Sequence, residues 1–351
     1  MRGSLSLESA AHGLFIGLYQ MRRDEDLLME NLLDDLFARI VEARAFQSPA
    51  TPLDYSAVLS KALGCEVFLK CEHLQPTGSF KIRGASNKIR LMGHYERRKG
   101  VITASTGNHG KAVAQAARAA GAAAAVYIAA GAAPAKIEGI RALGAELVMI
   151  NGPPLMAELQ ARKAAAAQGR IYISPYNDID VVAGQGTLGL ELLDQAPDLD
   201  AVFMSVGGGG LIGGVGTALK TLRPQTDILG VWPTNSPSML RALQEGAIMD
   251  VEEYPTLSDG TAGAIEPGSI TFPICKAVID DMLEVSEAEI AAAMQRVAHA
   301  DHWMVEGSAG VALAGLVQRA SAYQNKKIAV VLCGRNVEPE VFLAAMTTKS
   351  Q

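Results

Sequence analysis

Four cysteines in 351 residues, at 65, 71, 275 and 333, are too few and too scattered for a disulfide framework. None forms a C-x-x-C pair and no histidine stands at zinc-finger spacing, so a thiol redox motif and a finger-type metal site are set aside. Aromatic residues make up only 5% of the chain. No apolar run reaches the ~18 residues that a membrane-spanning helix needs. No long basic run occurs, and the net charge is −6, which argues against nucleic acid or an anionic membrane as main partner. Scattered thiols suit a reducing compartment, and the expected location is the cytoplasm.

What is present is a chain of 49% hydrophobic and 19% charged residues, rich in Ala and Gly, the balance of a well-buried globular enzyme. Its length predicts one large domain or two lobes. Near the N-terminus, "AAHGLFIGLY" lacks a small-residue cleavage site and runs directly into "MRRDED". Residues 1–28 are read as an extension, with Met21 and Met29 as internal starts.

A helix is expected through "LLMENLLDDLFARIVEA", and another in "TPLDYSAVLSKAL" with Gly64 as its stop. "EVFLKCEHL" alternates like a strand. From about residue 99 short apolar strands ("GVITAS", "AAAVYIA", "AELVMI", "RIYISP") alternate with helices closed by Gly121 and Gly144. The alternation resumes after residue 183 with "GQGTLGLELLDQ", "AVFMSV", "LIGGVGTALKTL" and "DILGVWP". After a looser stretch, helices are expected around 286–300 and 308–322, then a last strand, "KIAVVLCG". This is the pattern of an α/β protein with a parallel sheet wrapped by helices. The middle block, 99–177, reads as a small α/β lobe inserted into a larger one formed by 29–98 and 178–345.

Four stretches carry candidate chemistry. In "GSFKIRGA", Lys81 follows an aromatic and two small residues; it is either a surface lysine at a helix start or an inward-facing amine. In "SVGGGGLIGG", Gly207, Gly208, Gly209 and Gly210 follow a strand and open a helix, where successive amides and the helix dipole can cradle a phosphate. Gly208, Gly210 and Gly213 also spell G-x-G-x-x-G, but a dinucleotide site wants an acid at the end of the next strand, and that strand ends in Trp232-Pro233-Thr234. In "TASTGNHG", Ser105, Thr106, Asn108 and helix-start amides form either a carboxylate pocket or a plain N-cap. In "LCGRN", a strand delivers Cys333 to a glycine turn, as a site residue or a structural thiol. A lysine, a phosphate cradle and a carboxylate pocket together ask for a phosphorylated aldehyde cofactor.

At this point the chain resembles the serine/threonine dehydratase family of pyridoxal-phosphate enzymes, fold type II, over about residues 30–345. "GSFKIRGA", "STGNHG", "GQGT", "GGGGL", "EGSAG" and "CGRN" stand in the family's order. The resemblance implies two lobes, each a mostly parallel twisted sheet flanked by helices. It implies Lys81 on the aldehyde of pyridoxal 5'-phosphate and as the base for the α-proton, Phe80 against the ring, Asn108 on the ring hydroxyl and Gly207–Gly210 on the phosphate. Cys333 is expected at the pyridine nitrogen, Glu306 near the ring, and Ser105, Thr106 and His109 at the substrate carboxylate. The implied reaction dehydrates and deaminates L-threonine or L-serine to a 2-oxo acid and ammonia, in a homodimer.

The resemblance also covers hydroxyectoine-pathway, threo-3-hydroxyaspartate and phenylserine dehydratases, serine racemases, and a non-catalytic sensor. Related serine racemases have a second serine where Thr106 stands, and acidic metal ligands where Trp232 and Ser238 stand, so no metal is expected there. Tyr176 replaces an asparagine of some relatives. The sequence runs only 15 residues past Asn336, so a C-terminal regulatory domain like that of biosynthetic threonine dehydratases is not expected.

Overall fold

The structure, a computed structural model, describes residues 27–46, 50–131, 134–152 and 154–348. The expected N-terminal extension lies outside the described residues except for Leu27 and Leu28. The chain opens with helix α1 (27–44). It continues through β1 (Leu53–Tyr55), α2 (Ala57–Leu63), β2 (Glu66–Lys70), α3 (Lys81–Leu91) and α4 (His94–Lys99). Then come β3 (Val101–Ala104), α5 (Asn108–Ala119), β4 (Ala124–Ala129), α6 (Pro134–Arg141), β5 (Glu146–Ile150), α7 (Pro154–Gln168) and β6 (Ile171–Tyr172). The next run is α8 (Ile179–Gln195), β7 (Ala201–Ser205), α9 (Gly210–Leu222), β8 (Asp227–Pro233), α10 (Ser238–Glu245) and α11 (Thr271–Val278). The chain closes with β9 (Asp281–Val285), α12 (Glu287–Asp301), α13 (Gly307–Arg319), β10 (Lys327–Val331) and α14 (Pro339–Thr347).

The strands form two sheets. A six-stranded sheet runs β1-β2-β10-β7-β8-β9 and a four-stranded one β5-β4-β3-β6. All neighbours are parallel except β1, which pairs antiparallel with β2 at one edge. The central strand β7 is buried at all five positions, the continuous apolar run that a sheet covered on both faces requires. Its core joins Phe203, Val231, Ile328 and Val330 to Leu313 and Leu316 of α13. One face of the small sheet packs Val101 and Val126 against Val113 of α5 and against Ala85 and Ile89 of α3. The other packs Ile102 and Tyr127 against Ala157, Ala161 and Ala165 of α7.

Helix ends follow local chemistry. Asp178 caps α8 by accepting the amides of Asp180 and Val181. Ser286 and Glu289 form a reciprocal capping box at α12. Gly64 ends α2 in the left-handed conformation, φ 73°, as the sequence predicts.

One group of charges is fully buried. Arg83 in α3 forks to Glu72 at 2.7 Å and to Glu191 in α8 at 2.7 Å. Lys70 in β2 completes the group, its Nζ 2.7 Å from Glu191 and donating to the Thr51 carbonyl. Two cations face two carboxylates, so desolvation of each charge is offset by direct pairing. This network locks α3, and with it the start of that helix at Lys81, onto β2 and α8.

Candidate active site

The segment before Lys81 is shaped by its partner loop. Gly78 has φ +76°, the left-handed region where a side chain strains. Ser79 bridges Gly334, the Phe80 amide donates to the Cys333 carbonyl at 3.1 Å, and the Arg335 amide donates to the Gly78 carbonyl at 2.9 Å. "TGSFK" is thus stitched to "CGRN" before α3 begins. Lys81 Nζ donates to the Pro175 carbonyl at 2.9 Å and lies 5.1 Å from the centroid of the Phe80 ring. Burial lowers the amine to about 8, with the Glu306 carboxylate pulling part of the way back. The inward-facing amine is what the structure contains.

Across the cavity stands the glycine loop. Gly209 takes φ +81° as the residue before α9. A Cβ on Gly208 would meet the Tyr176 ring at 2.3 Å, so only glycine fits between that ring and the loop. The carbonyls turn outward, with Thr271 Oγ1 donating to Gly208 O at 2.6 Å. The first amides of α9, Gly210 to Ile212, lack intrahelical partners by helix geometry and are free for an anion. This cleft of about 450 Å³, counted with its mouth, is lined by Phe80, Lys81, Asn108, Tyr176, Gly207–Gly210, Glu306 and Cys333 among others.

The third wall is polar. Asn108 opens α5 and its Nδ2 donates to Glu306 Oε1 at 2.7 Å. Glu306, 2% exposed, also accepts the Asn336 amide at 2.9 Å. Burial, reinforced by Asp259, pushes its carboxyl up to about 7. Cys333 Sγ lies 4.0 Å from Glu306 Oε1 and accepts from Ser205 Oγ at 3.6 Å. Burial drives its thiol well above the ordinary range, so it stays a neutral S–H.

Phe80, Lys81, Asn108, Gly207–Gly210, Glu306 and Cys333 therefore meet in one cleft, drawn from the C-terminal ends of β3, β7 and β10 and the starts of α3 and α13. Ser105, Thr106 and His109 do not line it. Ser105 and Thr106 are half-buried on the loop after β3, where Ser105 Oγ accepts the Gly107 amide at 3.2 Å. The His109 ring is buried, 3% exposed, with Nε2 3.0 Å from the Ile173 carbonyl. Burial, helped by Lys81, lowers it to about 3, so the ring is neutral and Nε2 carries the donated hydrogen. Trp232 is fully buried, and the Ser238 hydroxyl donates to Glu253 at 2.7 Å. No group of three or more His, Cys, Asp or Glu that could hold a metal ion occurs among the described residues.

Sequence reasoning did not single out Ser205 or Ser308 on the cavity wall. Ser308 sits in the quoted "EGSAG", yet a hydroxyl at a helix start reads as a cap.

A pyridoxal-phosphate dependent enzyme family matches residues 47–334. The L-threonine ammonia-lyase of Thermotoga maritima is 41% identical over 288 residues, 82% of this chain and 71% of that protein. The catabolic L-threonine dehydratase of Escherichia coli is 34% identical over 290 residues, 82% of this chain and 88% of that protein. Among solved structures, threonine deaminase isoform 2 of Solanum lycopersicum has a TM-score of 0.86 at 35% identity, covering 91% of this chain and 94% of that one. Maize serine racemase has a TM-score of 0.82 at 31% identity, covering 88% and 96%. With a lysine amine facing a glycine cradle across one cleft, and a family match running through both, this chain belongs to the pyridoxal-phosphate dependent enzymes.

Proposed function

We propose that the protein dehydrates and deaminates L-threonine, with L-serine as a second substrate, to a 2-oxo acid and ammonia. The observation that carries this reading is a lysine amine lowered to about 8 in the same cleft as four glycines at a helix N-terminus. The relatives named threonine ammonia-lyase, dehydratase and deaminase support threonine as the substrate.

The residues fit pyridoxal phosphate. Gly207–Gly210 face the cleft at the start of α9, whose first amides have no intrahelical partner, the Phe80 ring offers a face, and the neutral Cys333 thiol avoids placing a charge beside a pyridine nitrogen. Bound there, the cofactor supplies an electron sink for the bonds at the substrate α-carbon. Lys81 would hold its aldehyde and, as a neutral amine, accept the α-proton at Nζ. Gly207–Gly210 and the N-terminus of α9 would hold the phosphate. Ser105 and Thr106, with the amides of their loop, would hold the substrate carboxylate, while His109, bonded to the Ile173 carbonyl, would anchor the start of α5 beside that loop. A thiol is a weak partner for a protonated ring nitrogen, which favours prompt loss of the β-hydroxyl over reprotonation of the α-carbon.

We propose further that the enzyme works in the cytoplasm as a homodimer. The four cysteines, all free and buried, support a reducing compartment, and no described helix is long and apolar enough to cross a membrane. The homodimer rests on family likeness and is tested by light scattering.

The test is an absorbance scan of the purified protein followed by L-threonine, L-serine and D,L-threo-3-hydroxyaspartate, with 2-oxo acid and ammonia quantified. A cofactor band with oxo-acid release from threonine is expected. A band without release from any of the three overturns the proposed reaction, and no band after adding pyridoxal phosphate overturns the site.

A further inference from the structure

Behind Asn108 runs a chain of hydrogen bonds that ends on residues outside the cleft. Lys111, one turn further along α5, donates from Nζ to Asn336 Oδ1 at 2.9 Å. Asn336 Nδ2 donates to Asn108 Oδ1 at 2.5 Å and to the Thr77 carbonyl at 2.9 Å. Asn108 Nδ2 donates to Glu306 Oε1 at 2.7 Å, and the Asn336 amide returns to Glu306 Oε2 at 2.9 Å. The chain begins on a cation, passes through two amides in the same sense, and ends on a carboxylate.

The order of atoms in it is forced. An ammonium can only donate and a backbone carbonyl can only accept. Lys111 therefore requires the oxygen of Asn336, and Thr77 requires its nitrogen. With both Asn336 N–H bonds spent on Thr77 and Asn108, Asn108 must present its own oxygen there and its nitrogen to Glu306. Flipping Asn108 sets donor against donor or acceptor against acceptor at two contacts at once, and flipping Asn336 does so at three. One Asn108 N–H goes to Glu306, and the second is left for whatever fills the cleft that Asn108 lines. Amides in a row also polarise one another, so a cation at the head strengthens the donor at the foot.

The backbone keeps room for this arrangement. A Cβ on Gly139 of α6 would stand 2.8 Å from Lys111 Cε, and one on Gly334 would stand 2.6 Å from Glu306 Oε1.

We propose that Lys111 and Asn336, neither of which lines the cleft, are positioning residues that fix the Asn108 amide with one N–H reserved for an oxygen of the bound cofactor, the ring hydroxyl of pyridoxal phosphate. This rests on reading the cleft as the cofactor site. The sequence holds the signal only in part: "CGRN" marks Asn336, but Lys111 looks like an ordinary solvent-facing helix lysine.

The test compares the dissociation constants of the apoenzyme for pyridoxal phosphate and for its 3-deoxy analogue, which lacks the ring hydroxyl, in wild type, Lys111→Met, Lys111→Arg and Asn336→Ala. Wild type should prefer pyridoxal phosphate by about 10-fold, the worth of one good hydrogen bond. Lys111→Met and Asn336→Ala should shrink that preference to about 2-fold or less, while Lys111→Arg, which keeps a cationic donor, retains most of it. Should Lys111→Met fail to fold, Asn336→Ala carries the same comparison. An unchanged preference in the folded variants overturns the positioning role and leaves the site reading intact. No saturable binding of pyridoxal phosphate by wild type overturns the site reading itself.

Discussion

At the scale of the residue, the chemistry turns on one amine. Lys81 sits at the start of a helix, where sequence alone allows solvent exposure, but Phe80 and the Pro175 carbonyl hold it inward. Lys81→Ala should lower 2-oxo acid release by at least about 10²–10⁴-fold, the range for loss of a positioned base, with the far-UV circular dichroism unchanged. An active variant would sink the mechanism. The amine titrates near 8 rather than near the ordinary 10.5 because burial disfavours its charged form. Only the neutral amine attacks an aldehyde. Capture of pyridoxal phosphate by apoenzyme, trapped with borohydride and read by mass, should therefore rise about tenfold from pH 7 to 9 and then level off. A rate still climbing tenfold per pH unit above 9 would mean that Lys81 is not buried as described.

At the scale of the element, α3 is the lever that sets Lys81. Its Arg83 lies two residues on, 2% exposed, between Glu72 and Glu191. Arg83→Met would leave Lys70 alone against two buried carboxylates. The loss should be about 3–5 kcal/mol in urea unfolding at neutral pH, because an uncompensated buried charge costs more than the pair contributes. A loss below about 1 kcal/mol would show that solvent reaches the network. The strands β3, β4, β7, β8 and β10 and the helices α5 to α9 were legible because alternating apolar runs and glycine stops are local signals. α10 and α11 were not, because they flank a stretch, 246–270, without regular elements, whose path is set by side-chain anchors rather than by periodicity. Asn235 and Ser236, just before α10, donate to the Pro255 carbonyl and to Glu253 of that stretch.

At the scale of the whole molecule, the cleft lies between two sheets, and contacts between them decide its width. Arg162 of α7 pairs with Glu266 at 2.9 Å, and Asn177 donates to the same carboxylate at 2.7 Å. The Glu266 amide in turn donates to Tyr176 Oη at 2.9 Å, which fixes the ring that backs Gly208. The segment 259–270 is thereby fastened to the small sheet across the mouth. Glu266→Ala should raise the substrate KM about 3–10-fold, equivalent to about 1 kcal/mol, while the affinity for pyridoxal phosphate moves by less than about 2-fold. Equal losses in both would place the effect on the cofactor instead. The proposed lobes, 29–98 with 178–345 and 99–177, follow the chain order of the sheets, yet the apolar face of α3 packs in the core of the small sheet. Covalent order and packing part company at that helix.

By itself the sequence determined the element type wherever periodicity is local, the parallel α/β class, and the ordered motifs that mark Lys81 and the glycine loop. These depend on neighbours in the chain and on backbone needs that only certain residues meet. The tertiary structure alone decided which way each polar side chain faces. It turned His109 to the Ile173 carbonyl, joined Lys111 to Asn108 through Asn336, and closed Arg83 between two carboxylates. Partners such as Lys111 and Asn336, 225 positions apart, meet only when the two sheets pack. No spacing in the chain encodes that distance, because burial and hydrogen-bond satisfaction are properties of the folded interior.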